Sequence, residues 1–262
     1  MRFKPTISGL NKWKEQCSDW NKIVLVKLGF IKKDFKVRMK NGLILNLIYD
    51  GRHDSTTMLK DLYVNNSYSF QKKDIKDCKI IVDIGANQGF VSTLLALKTK
   101  GSMIYSYEPM KRNYDSLVKN IKLNNYEDRI IPFNLAISKT KGKRKLFIDK
   151  FGNAAHSLLS SRVNNKNFVN VDSITLKDIF VNNDLTHIDL LKMDCEGAEF
   201  EIFWNSDDED ILKIKNIFIE IHNTKKNSVN ELEDFLILKG FKISSKNNEV
   251  HAVNTNFRGG KK

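Results

Sequence analysis

Four charged side chains and a histidine stand in two otherwise largely apolar stretches: Lys192, Asp194 and Glu196 in LLKMDCEG, and Glu220 and His222 in IFIEIH. Alternate strand residues share a face, so 192 pairs with 194 and 220 with 222. Charge inside an apolar strand is costly unless it is partnered. The five groups therefore point to proton transfer, to a bound cation or to mutual ion pairs. Upstream, Asp83-x-Gly85-x-Asn87-x-Gly89 follows a run of β-formers in IIVDIGANQGF. Its glycines let a ligand lie against bare backbone or let the chain turn tightly. A dinucleotide loop carries Gly-x-Gly-x-x-Gly, which is missing here, so the loop favours a ligand without a pyrophosphate that lays a small polar chain across it. Glu108 ends the next strand, 23 residues after Gly85. An acid at that place accepts the hydroxyls of an adenosine ribose, and two ionised oxygens suit two vicinal hydroxyls.

The elements that must position these residues follow from the hydrophobic pattern. From about residue 80, apolar runs alternate with amphipathic stretches, as in a parallel sheet with crossover helices. KIIVDIG, MIYSYEP, RIIPFNLAIS, HIDLLKMD and NIFIEIH read as strands, and KRKLFID as a short further one. QGFVSTLLALKTKG reads as a helix closed by Gly101. Tyr114, Leu117, Val118 and Ile121 mark one face of another helix. A polar, Asn-rich segment spans 152–170, and SITLKDIF is expected to be helical. Ser228 and Glu231 form a capping box that opens VNELEDFLILKG, which Gly240 closes. FKIS and EVHAV then make an antiparallel hairpin. Before residue 80, a helix-like stretch from Leu10 to Gly29 precedes a hairpin around Asn41-Gly42.

The chain has 262 residues, enough for one substantial core with a small appendage. Its longest apolar runs are far too short to span a bilayer. The amino-terminal stretch has charge but no apolar centre, which predicts no secretory signal. Three cysteines without a CxxC pair argue against a disulfide framework or a zinc cluster and suit the reducing cytoplasm. The formal charge of +13 is uneven. Residues 1–79 hold 17 Lys or Arg against 8 Asp or Glu, a net of +9. That basic segment either contacts something anionic, such as the inner face of a membrane, or is simply a solvated lysine-rich surface.

VDIGANQGFVS, YEPMKRNYDSLVKNIKLNN, NLAIS, LLKMDCEGAE and IEIH, in this order, resemble the FkbM-type S-adenosylmethionine-dependent methyltransferases. The resemblance covers roughly residues 50–223, including GRHDSTTMLKDLYVNNSY upstream, and KMDCEGAE is its most specific part. It departs where Cys195 stands for the more usual Val and His156 for a Ser. It implies an α/β, Rossmann-like class I methyltransferase fold, with a mostly parallel seven-stranded sheet, helices on both faces and a reversed last strand. Residues 1–75 would form a small N-terminal extension, a helix plus hairpin capping the substrate or membrane side, and residues 76–262 the S-adenosylmethionine-binding domain.

The resemblance also implies site residues. In the loop, Asp83 orders the turn and meets the methionine end of the cofactor, while Gly85, Asn87, Gly89 and Phe90 let it approach. Glu108 takes the ribose beside Pro109, and Asn134, Ala136 and Asp194 complete the cofactor contacts. The reaction expected is O-methylation of a hydroxyl on a sugar, glycolipid or related natural product. Two versions of the chemistry stay open: Asp194 or His222 acts as base, or Asp194, Glu196 and Glu220 collect around Mg²⁺, which prefers oxygen ligands. Lys192 is expected in a buried ion-pair network with Asp194 and Glu220. Asp54, Tyr63 and Tyr68 would wall the acceptor pocket. Glu199 and Glu201 read as solvated first-turn acids, Cys195 as a small packed residue, and His53, His187 and His251 as ordinary histidines. Trp13, Trp20 and Trp204 read as core or interface residues.

An RNA methyltransferase fits the fold and charge, but the chain has no Asn/Asp-Pro-Pro-aromatic run, which makes nucleic acid the weaker partner. A non-catalytic binding protein would not need acids at two strand ends, and a nicotinamide dehydrogenase would need the missing Gly-x-Gly.

Overall fold

The computed structural model describes residues 7–49, 55–68, 70, 72–148, 157–158, 167–222, 228–246 and 248–257. His53, Asp54 and His156 lie outside them. The chain begins with helices α1 (Ile7–Gln16) and α2 (Trp20–Lys27) and a hairpin of β1 (Phe35–Arg38) and β2 (Ile44–Leu47). The single helix expected over 10–29 is broken between α1 and α2. There Cys17 makes an antiparallel bridge to Met39, and the Asp19 carboxylate accepts from Arg38 N at 3.0 Å. The hairpin turns about Asn41-Gly42, with Arg38 opposite Ile44. Two further helices, α3 (Thr56–Tyr63) and α4 (Lys72–Ile75), lead into the sheet.

Strands and helices then alternate through β3 (Ile80–Ile84), α5 (Phe90–Lys98), β4 (Met103–Tyr107), α6 (Lys111–Leu123) and β5 (Ile130–Phe133). A side sheet follows, made of β6 (Ala136–Ile137), β7 (Gly142–Phe147) and β8 (Phe168–Ile174) in the order β6-β8-β7. The chain returns through α7 (Leu176–Asn182), β9 (Ile188–Met193), α8 (Glu199–Trp204), α9 (Asp208–Leu212), β10 (Ile214–Glu220) and α10 (Val229–Leu238). It ends in the hairpin β11 (Phe241–Lys246) and β12 (Glu249–Asn254).

The main sheet has the order β11-β12-β10-β9-β3-β4-β5. β10, β9, β3, β4 and β5 run parallel, and β12 pairs antiparallel with both β10 and β11. This is the mostly parallel seven-stranded sheet with a reversed last strand. Val82, Ile84, Leu191, Met193, Ile217 and Ile219 face one core, which includes Ile179, Phe200, Phe203 and Leu236 from three helices. Ile81, Ile104, Leu190 and Phe218 face the other, against Leu95, Leu117 and Ile121 of α5 and α6. Helices therefore cover both faces, and near-continuous apolar strands such as IIVDI follow from that double burial.

Two expectations shift in the middle. RIIPFNLAIS is not one strand: Asn134 donates to the carbonyls of Glu108 and Pro109 at 2.9 Å each, and the chain leaves the main sheet for β6. SITLKDIF is half strand and half helix. Ser173 and Ile174 end β8, and Thr175 forms a capping box with Asp178 that starts α7. The tail of the polar segment, Phe168–Asn170, belongs to β8 as well. Its exposed edge residues carry no apolar alternation and so left no strand signal in the sequence.

The amino-terminal hairpin rests on α5 and α6. Trp13, Val37, Leu45 and Leu59 pack with Phe90 and Leu94. Buried Asn120 of α6 accepts from Asn46 N at 2.6 Å and donates to Gln88 O at 2.8 Å, tying β2 to the glycine loop. Asn120→Ala would leave those buried backbone groups unpaired. Urea unfolding is expected to show a loss of about 2–4 kcal/mol; a loss below about 0.5 kcal/mol, the usual size for an uninvolved surface position, would refute the tie.

Candidate functional site

The carboxyl ends of β3, β4, β9 and β10 meet where the strand order reverses between β3 and β9, the crevice in which open α/β sheets bind ligands. Asp83 of β3 lies directly opposite Lys192 of β9. Both are buried, and Lys192 Nζ stands 3.1 Å from Asp83 Oδ1. The ammonium also donates to Gly85 O at 3.0 Å, and Ser92 donates to Asp83 Oδ2 at 2.5 Å. Burial works against the charge on Lys192, but Asp83 and then Asp194 hold it charged, above its ordinary range. The ion pair expected for Lys192 exists with a different principal partner: Asp83 in place of Asp194 and Glu220. Asp83 lines neither cavity described below.

Gly85 takes φ +74, and a Cβ there would run into the carbonyl oxygen of Asp194. Gly89 takes φ +78, and a Cβ there would strike the Leu117 side chain. Both positions need glycine for space as well as dihedral. Asn87 sits between them at φ +49, a left-handed conformation that asparagine tolerates better than most residues. Its N–H donates to Glu108 Oε2 at 2.8 Å, and Met110 N donates to Glu108 Oε1 at 2.8 Å. The Asn113 side chain is a third partner of this carboxylate, and of its roughly four lone-pair positions one is left for a ligand. Burial pushes Glu108 up to about 7, against the opposing pull of these N–H donors and of Lys192. Glu108, Pro109, Asn87, Ala136 and Leu158 line one pocket together with Asp194 and Glu196.

A second cavity adjoins it, lined by Met58, Asp61, Tyr68, Phe90, Lys192, Asp194, Glu196 and Glu220, with Gly85 and Asn87 shared between the two. Tyr68 OH lies 2.8 Å from Asp194 Oδ2 and 2.9 Å from Glu220 Oε2. A phenol has one proton, so the two acids and the phenol must share. Burial and the neighbouring Asp194 raise Glu220 above its ordinary range. Tyr63, expected in the same wall, instead meets Asn41 Nδ2 at 3.5 Å and lines neither pocket.

His222 stands at the centre of four acids. Its Nδ1 is 3.3 Å from Glu199 and 3.9 Å from Asp194, and its Nε2 is 3.5 Å from Glu196 and 3.7 Å from Glu220. Burial opposes charge on the ring, but the Glu199 hydrogen bond and the charges of Glu196 and Asp194 prevail, lifting His222 to about 9. Among these acids the imidazole favours its charged form at neutral pH, which makes it a poor acceptor of a substrate proton.

Glu199 corrects an expectation. It is fully buried, and its Oε1 accepts from Cys195 N at 3.0 Å. The readable signal was its spacing: Glu199, Ile202 and Phe203 lie at i, i+3 and i+4, all on the buried face of α8. Glu201 is not freely solvated either, since one guanidinium nitrogen of Arg144 on β7 donates to both its oxygens at 3.0 and 3.2 Å. Burial and the nearby Glu199 push the Cys195 thiol well above its usual range, which suits a packed residue and not a nucleophile. His187 meets Thr186 Oγ1 at 3.1 Å, and His251 stacks on Phe218. Trp13 is core, while Trp204 is partly exposed and stacks on Phe200.

The family model of the methyltransferase FkbM domain matches residues 83–243. The chain is 24% identical to methyltransferase sdnD of Sordaria araneosa over 189 residues, covering 62% of this chain and 72% of that protein. It is also 24% identical to methyltransferase 1 of Beauveria bassiana over 203 residues, covering 71% and 80%. Among solved structures it resembles an FkbM methyltransferase from Methylobacillus flagellatus with a TM-score of 0.48 and 15% identity. That match covers 71% of this chain but only 45% of the other protein's length.

The acids around His222 make a pH signature. A raised histidine pKa contributes stability that is complete below the unfolded value of about 6.5 and is lost as pH rises through about 9. Proton-detected titration should find the His222 ring changing charge near 9, and Glu199→Gln should move that midpoint down. A wild-type midpoint at or below 6.5 would contradict the geometry.

Proposed function

The chain belongs to the FkbM methyltransferase family and is a methyltransferase that depends on S-adenosylmethionine, and from that premise we propose that it methylates a hydroxyl group on a sugar, glycolipid or related small natural product. The observation that carries this reading is the Tyr68 hydroxyl shared by Asp194 and Glu220, beside the glycine loop. S-adenosylmethionine supplies a methyl group on a sulfonium, ready for in-line displacement. The protein must hold the acceptor oxygen in line, an effect worth up to roughly 7–11 kcal/mol in well-oriented models, and must take its proton.

The room above Gly85 and the ionisable Glu108 suit the cofactor. Gly85, Asn87 and Gly89 give a bare surface for the methionine chain, with Phe90 below. Glu108 receives the ribose hydroxyls, and Pro109, Asn134 and Ala136 shape the adenosine side. Asp83 acts through Lys192, which fixes the Gly85 carbonyl. For the proton, Asp194 is the base of choice, because His222 is already charged. Tyr68 and Glu220 continue the hydrogen-bond chain from Asp194 toward solvent, while Glu196 and His222 steady the cluster. The acidic wall of Asp61, Asp194, Glu196 and Glu220 repels phosphate, which favours a neutral acceptor over RNA. Magnesium fits this set less well than a base mechanism does, since an imidazole stands against the three carboxylates that would collect around it.

We place residues 1–75 as a cap over the acceptor side. No helix among the described residues is long and apolar enough to cross a membrane. Phe30 is 76% exposed and Leu28 52%, both close to Lys27, Lys32 and Lys33. Exposed apolar side chains among lysines suit peripheral contact with an anionic cytoplasmic leaflet, which would give a lipid-linked acceptor a route to the site.

Incubation with methyl-labelled cofactor should move label onto hydroxyl oxygens of a glycan or glycolipid fraction, identified by mass spectrometry and NMR; label entering only RNA would overturn the reading. Asp194→Asn should stay folded, bind cofactor and lose roughly 10²–10⁴-fold in turnover, the range for a proton-transfer group. A folded, fully active Asp194→Asn would remove the base.

Cofactor affinity should rise with pH through about 7, because ribose hydroxyls donate to the ionised Glu108 and binding then releases a proton below that value. Calorimetry of wild type against Glu108→Gln checks this: the variant should bind more weakly at pH 8 and lose the pH dependence, and an unchanged profile would exclude the ribose assignment.

Vesicle sedimentation should show binding to anionic but not neutral lipid, weakened by salt and by Phe30→Ala. Salt-independent binding, or none, would leave the basic segment as solvated surface.

A further inference from the structure

We propose that Asp194, Glu199 and His222 form a binding site for a divalent first-row transition ion. The proposal rests on the acceptor reading above through Asp194, which lines both cavities, whereas Glu199 and His222 line neither. One ligand atom from each residue can be chosen so that all three lie within 4.8 Å of one another. His222 Nδ1 faces Glu199 Oε1 at 3.3 Å and Asp194 Oδ1 at 3.9 Å, and an ion bound between them would replace the ring proton that Nδ1 otherwise shares with Glu199, releasing it to solvent.

Glu199 supplies an observation independent of this clustering. It is fully buried, and its Oε2 has no hydrogen-bond partner among the described residues. A carboxylate oxygen enclosed without a donor is costly, and a cation held by both oxygens of Glu199 would meet that cost. The ring's other side fits as well. Nε2 points to Glu196 Oε2 at 3.5 Å and Glu220 Oε1 at 3.7 Å. A metal-bound histidine characteristically donates its second N–H to a carboxylate, which fixes the tautomer and the ring plane. Asp194 Oδ2 is likewise oriented, by the Tyr68 hydroxyl.

The donor set decides the class of ion. One imidazole nitrogen with two carboxylates matches manganese, iron or zinc, whereas magnesium favours an all-oxygen shell with several waters. An ion held here would make an approaching hydroxyl oxygen more acidic, and its proton would pass to the Glu220 carboxylate, which ligates nothing in this scheme. Asp194 would then serve as ligand, and the base role would move one hydrogen bond along.

Manganese is the probe, because the paramagnetic resonance signal of free Mn²⁺ disappears on binding. Wild-type protein cleared of metal by chelation should bind one Mn²⁺ per chain, with Zn²⁺ displacing it and equal Mg²⁺ failing to do so. Glu199→Gln and His222→Gln should each weaken Mn²⁺ at least tenfold while calorimetric affinity for S-adenosylhomocysteine stays within threefold of wild type, which also shows that the variants fold. Should a buried-site variant not fold, the wild-type stoichiometry still decides. No Mn²⁺ or Zn²⁺ bound by wild type, or unchanged affinity in either folded variant, would overturn the site and leave the hydroxyl acceptor reading standing. Tight, variant-sensitive Mn²⁺ with no methylation of any hydroxyl acceptor would uphold the site and sink that reading instead.

Discussion

The buried pair of Lys192 and Asp83 is the constraint on which the rest of the site depends. Two charges under about 2% exposure face each other across the central strand pair. Such a pair is weak evidence for net stability, but breaking it by removing one partner costs about 3–5 kcal/mol. Its value lies in where the spare hydrogen bond goes. Lys192 reaches the Gly85 carbonyl at 3.0 Å, so the ammonium ties the glycine loop to the sheet beneath it. The loop then presents Asn87 N to Glu108, and one chain of contacts runs from β9 through β3 to β4.

Around that chain the protein divides its charge. Positive charge gathers in the first 79 residues, while the cavity beside the loop is lined by Asp61, Asp194, Glu196 and Glu220. The amino-terminal hairpin is joined to the glycine loop by the Asn46, Gln88 and Asn120 contacts and by Ser55, which donates to Gln88 at 2.8 Å. The amino-terminal hairpin and the glycine loop are therefore joined by buried hydrogen bonds.

The sheet was legible because a strand buried on both faces leaves a near-continuous apolar run, as in Ile80–Ile84 and Ile188–Met193. The glycine loop and Glu108 were legible from spacing, and the family resemblance from whole motifs. Other features depend on contacts between residues distant in sequence. β8 forms because β7 pairs with it across a long insertion. The break between α1 and α2 follows from the Cys17 bridge to Met39. Glu199 carries a helical-face signal that its charge masks, and the pairing of Lys192 with Asp83 depends on a parallel register that one strand alone does not contain. Tyr68 reaches Asp194 from 126 residues away, and local pattern holds no record of such a contact.

If the buried pair governs the loop, Asp83→Asn should disturb cofactor binding without touching the cofactor. The side chain keeps its size and its contact with Ser92, but Lys192 loses its counter-charge and the Gly85 carbonyl its fixed donor. The most direct measurement is the calorimetric affinity of this variant for S-adenosylhomocysteine, taken on protein with a wild-type circular dichroism spectrum. The account predicts a loss of at least tenfold. An affinity equal to wild type would contradict it, because the loop would then be shown to hold its shape without the charge beneath it.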